Sequence, residues 1–279
     1  MPRRPTTCRR LDCLAKRLGI LLFCCCCSLL FPCRARYTRP LGCIALIFDS
    51  YMNLNPKGAH APILRVFQSK DQTRAFYNKI SRVYDMLSER SEAPMRKAGL
   101  ALLKARAGES ILEIGFGTGH SLVSLAKCVG PKGKVFGLDL SDNMLKLAKE
   151  NLAKANLVER ARLRCGDAAQ LPYADKSMDA IFMSFALELF DTEEIPKVLR
   201  ECERVLRPGG RIVVVGMSKD TRHDPLVVAF EWTHEHFPNF LDCRPIYVRE
   251  ALEKAGFKIG SALMKHMWIP VEIILGLNE

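Results

Sequence analysis

From about residue 70 onward, the apolar positions switch repeatedly between the period of a helix and that of a buried strand. Tyr77, Ile80, Val83, Tyr84 and Leu87 are spaced by three and four, which predicts an amphipathic helix with an aromatic face. Residues 110–114 form a short apolar strand running into a glycine-rich turn. Residues 120–129 follow as a helix, stopped by Gly130 and Pro131. Residues 134–139 read as the second strand, and Ser141 caps a helix that runs to about Ala155. Residues 162–165 and 180–184 supply the third and fourth strands.

Ile195, Val198, Leu199, Cys202, Val205 and Leu206 make one helical stripe, ended by Pro208-Gly209-Gly210. The β-branched run 211–215 then reads as a strand buried on both faces. Residues 248–255 predict a helix, and 259–264 with 271–275 an antiparallel pair. Strict alternation of strand and helix with short turns predicts a doubly wound α/β sheet with right-handed crossovers.

Composition changes this picture mainly at the N-terminus. The chain has 279 residues, 48% of them hydrophobic and 26% charged, which excludes collagen-like and wholly disordered classes. The net charge is +12. Residues 1–51 carry nine Lys or Arg against Asp12 and Asp49, so +7 of that charge sits in the first fifth of the chain. The remainder is only mildly basic, and no nucleic-acid partner is expected. Eight of the twelve cysteines also fall in the first 43 residues. The other four, Cys128, Cys165, Cys202 and Cys243, read as buried thiols of a reducing compartment. No metal site is expected, because four consecutive cysteines do not enclose one tetrahedral ion.

The apolar stretch 18–31 is 14 residues long. As a helix it would reach about 21 Å, short of the roughly 30 Å hydrocarbon core. Its basic flank leaves three readings open: an upstream extension beginning before Met52, a targeting segment, or a membrane contact through residues 18–31 of an otherwise cytoplasmic protein.

The candidate chemistry lies in Glu113-Ile114-Gly115-Phe116-Gly117-Thr118-Gly119-His120, between the first strand and its helix. The dinucleotide pattern G-x-G-x-x-G/A fails in both registers, at His120 and at Leu122, and no phosphate loop is present. Asp139 ends the second strand, where a carboxylate can accept both ribose hydroxyls. Asp167, after the third strand, is placed to take an adenine amino group. A ligand with ribose and adenine but no phosphates satisfies this set, and S-adenosyl-L-methionine is such a ligand.

On these motifs the span from Tyr77 to Gly256 resembles a class I S-adenosylmethionine-dependent methyltransferase. It is most similar to the quinone-biosynthesis C-methyltransferases (the methyltransferase type 11 group). The matching pieces are Tyr84-Asp85, 111–119, Gly137-Leu138-Asp139, Gly166-Asp167-Ala168 with Leu171-Pro172-Tyr173, 183–187 and 204–210. The resemblance implies a doubly wound, mostly parallel, seven-stranded Rossmann-like sheet with an N-terminal helical cap. It also implies three regions: 1–51 basic and cysteine-rich, 52–105 a helical cap, and 106–279 the cofactor-binding domain. Gly115, Gly117, Thr118 and Gly119 would line the methionine moiety; Glu113 reads either as a cofactor residue beside them or as a cap on the backbone amides of its own turn. Asp139 and Leu140 would hold the ribose, Asp167 and Ala168 the adenine, and Ser184 the floor near the methyl group. Tyr77 and Tyr84 would close over the cofactor.

The chain departs from the quinone enzymes in two places. Glu188-Leu189 stand where those enzymes carry Arg-Asn, and Trp268-Ile269-Pro270-Val271-Glu272 replace a glycine-rich strand. The implied function is methyl transfer to a small, apolar, quinol- or lipid-like acceptor. The alternatives are a phospholipid head-group N-methyltransferase and a cofactor-binding protein without catalysis. No residue declares itself as general base; His234 and His236 lie where this class builds its substrate lid, but their spacing argues against a shared metal. His120, Trp232 and Trp268 read as packing residues, and Asp179 as a surface or turn residue.

Overall fold

The computed structural model describes residues 61–66, 68–220, 224–236 and 243–279, with 82–90 and Pro225 described by backbone alone. The 1–51 segment, its stretch 18–31, eight cysteines and the first part of the 52–105 cap lie outside the described residues.

The described chain opens with a strap of no regular secondary structure, 61–66, followed by helix α1 (Lys70–Leu103). Ser69 starts α1 through a capping box, its hydroxyl accepting the Gln72 amide while the Gln72 side chain accepts the Ser69 amide. The alternating pattern then builds β1 (Ser110–Ile114), α2 (His120–Val129), β2 (Lys134–Asp139), α3 (Asp142–Lys154), β3 (Ala161–Cys165) and β4 (Met178–Ser184). After these come α4 (Ile195–Val205), β5 (Leu206–Met217), α5 (Pro225–His236), α6 (Val248–Lys254), β6 (Lys258–His266) and β7 (Pro270–Leu277). Ser141 caps α3 as expected, accepting the Met144 amide at 3.1 Å.

The seven strands form one sheet in the order β3-β2-β1-β4-β5-β7-β6. The first five are parallel, and β7 runs antiparallel to both neighbours. Strand β5 alternates between two apolar layers: Ile212 and Val214 join the core with α4 and α6, while Val213 and Val215 join the core with α1, α2 and α3. It is thus buried on both faces, as its β-branched run predicts. The start of β5 differs from expectation. Leu206 turns extended (φ −73°, ψ 139°) and begins β5, because its backbone pairs with Met178 rather than closing another helical turn.

Strand order reverses between β1 and β4, and the crevice beyond their carboxyl ends is where open α/β sheets take ligands. Among the described residues no helix is long and apolar enough to cross a membrane.

Candidate functional site

One cavity opens at that switch point. It is lined by the β1–α2 turn, the ends of β2 to β4 and the first part of α1. The turn is shaped by three left-handed glycines, Gly115, Gly117 and Gly119 (φ 70°, 52° and 87°). The Gly115 amide bonds the Leu138 carbonyl at 2.8 Å, and the Gly117 amide bonds Asp139 Oδ2 at 2.9 Å. The second oxygen of Asp139 accepts the Ser141 amide at 2.9 Å. One carboxylate therefore ties the turn to the cap of α3.

The structure brings most of the expected residues together. Glu113, Gly115, Gly117, Thr118, Asp139, Leu140, Asp167, Ala168, Ser184 and Tyr77 all line this cavity. Gly119 does not. It caps α2 and packs against α3, where a Cβ would lie 2.9 Å from that of Ala148, so its left-handed backbone and helix packing both call for glycine. The side chain of Tyr84 lies outside the described residues.

Electrostatics mark the two acids at the floor. Burial pushes Glu113 up to about 8, with a hydrogen bond to Ser121 and the charge of Arg96 opposing the shift. Its Oε2 is buried without a hydrogen-bond partner. A buried carboxyl oxygen without a partner is costly unless the group holds its proton or a ligand supplies a donor. Burial also raises Asp139, against the amides of Ser141 and Gly117. These buried carboxyls suit a ligand that brings hydroxyl and ammonium donors.

Comparison with known proteins gives the same answer. A family model described as a methyltransferase domain matches residues 111–210. A demethylmenaquinone methyltransferase from Lactobacillus johnsonii is 34% identical over 169 residues, spanning 59% of this chain and 68% of that relative. The chain belongs to the class I S-adenosylmethionine-dependent methyltransferases. The fold agrees. A SAM-dependent methyltransferase from Aquifex aeolicus superposes with a TM-score of 0.55 at 23% identity, over 72% of this chain and 97% of that one. A geranyl diphosphate methyltransferase in complex with SAM gives a TM-score of 0.55 at 17% identity, over 71% and 90%.

S-adenosylmethionine is the cofactor of this methyltransferase, and the site's donor set fits it. Several wall residues of the enzyme have no signature in its sequence. Lys70 Nζ, in the first turn of α1, bonds Asp167 Oδ2 at 2.5 Å and Glu194 Oε1 at 2.7 Å. Burial works against the Lys70 charge, but its two carboxylate partners prevail and raise its pKa. Arg74 pairs with Asp142, and Asn78 Oδ1 accepts both the Ser141 hydroxyl and the Asn143 amide. These contacts seat the start of α1 on α3, beside Asp139. Glu92 and Arg96, one turn apart on α1, also line the cavity, as does His120.

Other expectations resolve as packing. His234 is buried against the Arg65 carbonyl and His236 stacks on Trp232, and neither lines the cavity. Trp268 packs on Phe230. Asp179 has a structural role, accepting from the Ser110 amide and Arg207. Glu188 is fully buried, with Oε1 accepting the Met217 amide at 3.2 Å, and burial pushes it to about 7. The four thiols are not uniformly buried: Cys202 is, Cys165 and Cys243 are half-buried, and Cys128 is exposed. Among the described residues no cluster of three metal-ligating side chains occurs.

Proposed function

We propose that this methyltransferase acts on a small, apolar, quinol- or lipid-like acceptor. The observation that carries this reading is the apolar part of the cavity wall. Val66, Phe185, Leu189 and Phe190 line it alongside the polar floor. Behind Phe185 stands a further apolar cluster of Met217, Val227, Phe230 and Ile269. Such a wall excludes water from an uncharged ring or chain and offers a charged acceptor little compensation. The likeness to a demethylmenaquinone methyltransferase supports the same class of acceptor.

The cofactor supplies an electrophilic methyl group on a sulfonium. Catalysis by the chain is then largely alignment of the two reactants in a dry site. Gly115, Gly117 and Thr118 would run along the methionine moiety, with Glu113 Oε2 open to its ammonium. Asp139 would accept the ribose hydroxyls, with Leu140 beside it, and Asp167 and Ala168 would meet the adenine. Ser184 would lie at the floor near the methyl group. Tyr77 would cover the sulfonium with its ring.

The test is methyl transfer by the full chain from isotopically labelled S-adenosylmethionine to a panel of demethylated quinols, phospholipids and polar small molecules. Labelled product from a quinol or lipid supports the reading. Turnover confined to polar acceptors overturns it.

A further inference from the structure

Among the described residues, four side chains that follow β5 in sequence reach back to carbonyls of the strap 61–66. Tyr247 Oη donates to Ala61 at 3.3 Å, Lys219 Nζ to Pro62 at 2.7 Å and Arg244 Nε to Leu64 at 2.9 Å. His234 Nε2 lies 3.0 Å from the Arg65 carbonyl, which can only accept.

Arg244 is the most deeply placed of these, with no exposed surface. Besides Leu64, its guanidinium donates to the Glu188 carbonyl at 2.5 Å and to Thr192 Oγ1 at 3.3 Å. The Thr192 hydroxyl donates in turn to the Leu64 carbonyl at 3.1 Å. One side chain thus joins the strap to the turn that follows β4. Asp191 makes a second joint, accepting the Val66 amide at 3.0 Å and pairing with Arg65 at 2.6 Å. Both joined segments face the cofactor cavity: Val66 lines it from the strap, and Leu189, Phe190 and Asp191 line it from the turn. Arg244 itself does not line the cavity.

We propose that Arg244 is a positioning residue for cofactor binding, fixing the strap against the β4–α4 turn so that Val66 and Lys70 are held over the cavity. The choice of residue fits the role. A planar guanidinium with five donors serves three acceptors in fixed directions, which a lysine ammonium does not. Among the described residues no carboxylate hydrogen-bonds to it, and burial lowers its pKa to about 10 against the nearby charges of Asp191 and Glu188. Burying a guanidinium costs desolvation that its hydrogen bonds must offset, which fits a residue kept for the contacts it fixes.

The experiment compares the full chain with Arg244→Lys and Thr192→Val. It follows S-adenosylmethionine affinity by calorimetry, KM and kcat for the cofactor, and amide hydrogen exchange. Arg244→Lys is expected to weaken cofactor binding ~10-fold or more, raising KM more than it lowers kcat. Exchange protection is expected to fall in 61–66 and 187–192 while β1, β4 and β5 remain protected. Thr192→Val keeps the side-chain volume and deletes the middle link. It is expected to give the same pattern at about threefold, and it carries the test alone if Arg244→Lys does not fold. Unchanged affinity in the folded variants overturns the proposal. So does a loss of affinity accompanied by uniform loss of protection across the sheet, which would mark Arg244 as a general stability element.

Discussion

Gly115 stands against Ala186 with no room for a methyl group: a Cβ at 115 would lie 2.5 Å from that of Ala186. Gly117, two residues on, shares the left-handed backbone but faces open space. The two glycines therefore separate backbone strain from steric fit. Gly115→Ala is expected to destabilise by about 2–4 kcal/mol, combining a left-handed alanine with overpacking. Gly117→Ala is expected to cost about 1 kcal/mol, from the backbone alone. Urea denaturation of both variants checks the difference, and equal losses would contradict it.

Glu113 predicts a pH dependence with a definite sign. Its carboxyl sits near 8 in the fold against an ordinary value of 4.5. Between those values the native chain binds a proton that the unfolded chain has lost, so stability falls as pH rises through this window and levels off above it. Glu188, at about 7, adds a slope of the same sign over a narrower window. Glu113→Gln keeps the neutral shape and removes one slope. It is expected to match the wild type near pH 5 and to exceed it at pH 8 by a few kcal/mol, roughly. Denaturant titrations at several pH values decide, and parallel curves for the two proteins would refute the assignment.

Lys70 separates affinity from stability. Its bridges to Asp167 and Glu194 are partly exposed, and such pairs contribute about 0–1 kcal/mol. Lys70→Met is therefore expected to unfold within a few degrees of the wild type, yet to bind S-adenosylmethionine more weakly by about threefold, because Asp167 loses the partner that orients it. Thermal melts and calorimetry measure the two effects. A large drop in melting temperature with intact affinity would reverse the reading.

The strands, the glycine turn, Asp139, Asp167 and the Ser141 cap were legible in the sequence because each is a local pattern: apolar period, turn chemistry or capping. Helix α1 was legible only in its middle, since residues 70–74 and 88–92 are wholly polar and Pro94 lies inside the helix. The strap and its anchors were not legible. Lys70 and Asp167 lie 97 residues apart, and Arg244 and Leu64 lie 180 apart, so only the folded sheet brings them together. The packing of Gly119 on α3 was not legible for a related reason. A glycine at a motif position looks the same whether its missing Cβ makes room for a ligand or for the neighbouring helix.

Asp139 locks the turn through both carboxylate oxygens and, in the proposed function, would accept the ribose hydroxyls. Calorimetric titration of S-adenosylmethionine into the full chain and into Asp139→Ala is the most direct test. Micromolar binding by the wild type is expected, with at least ~10-fold weaker binding by the variant, about 1.4 kcal/mol or more. A folded wild-type chain that does not bind, or a folded variant that binds equally well, would contradict it.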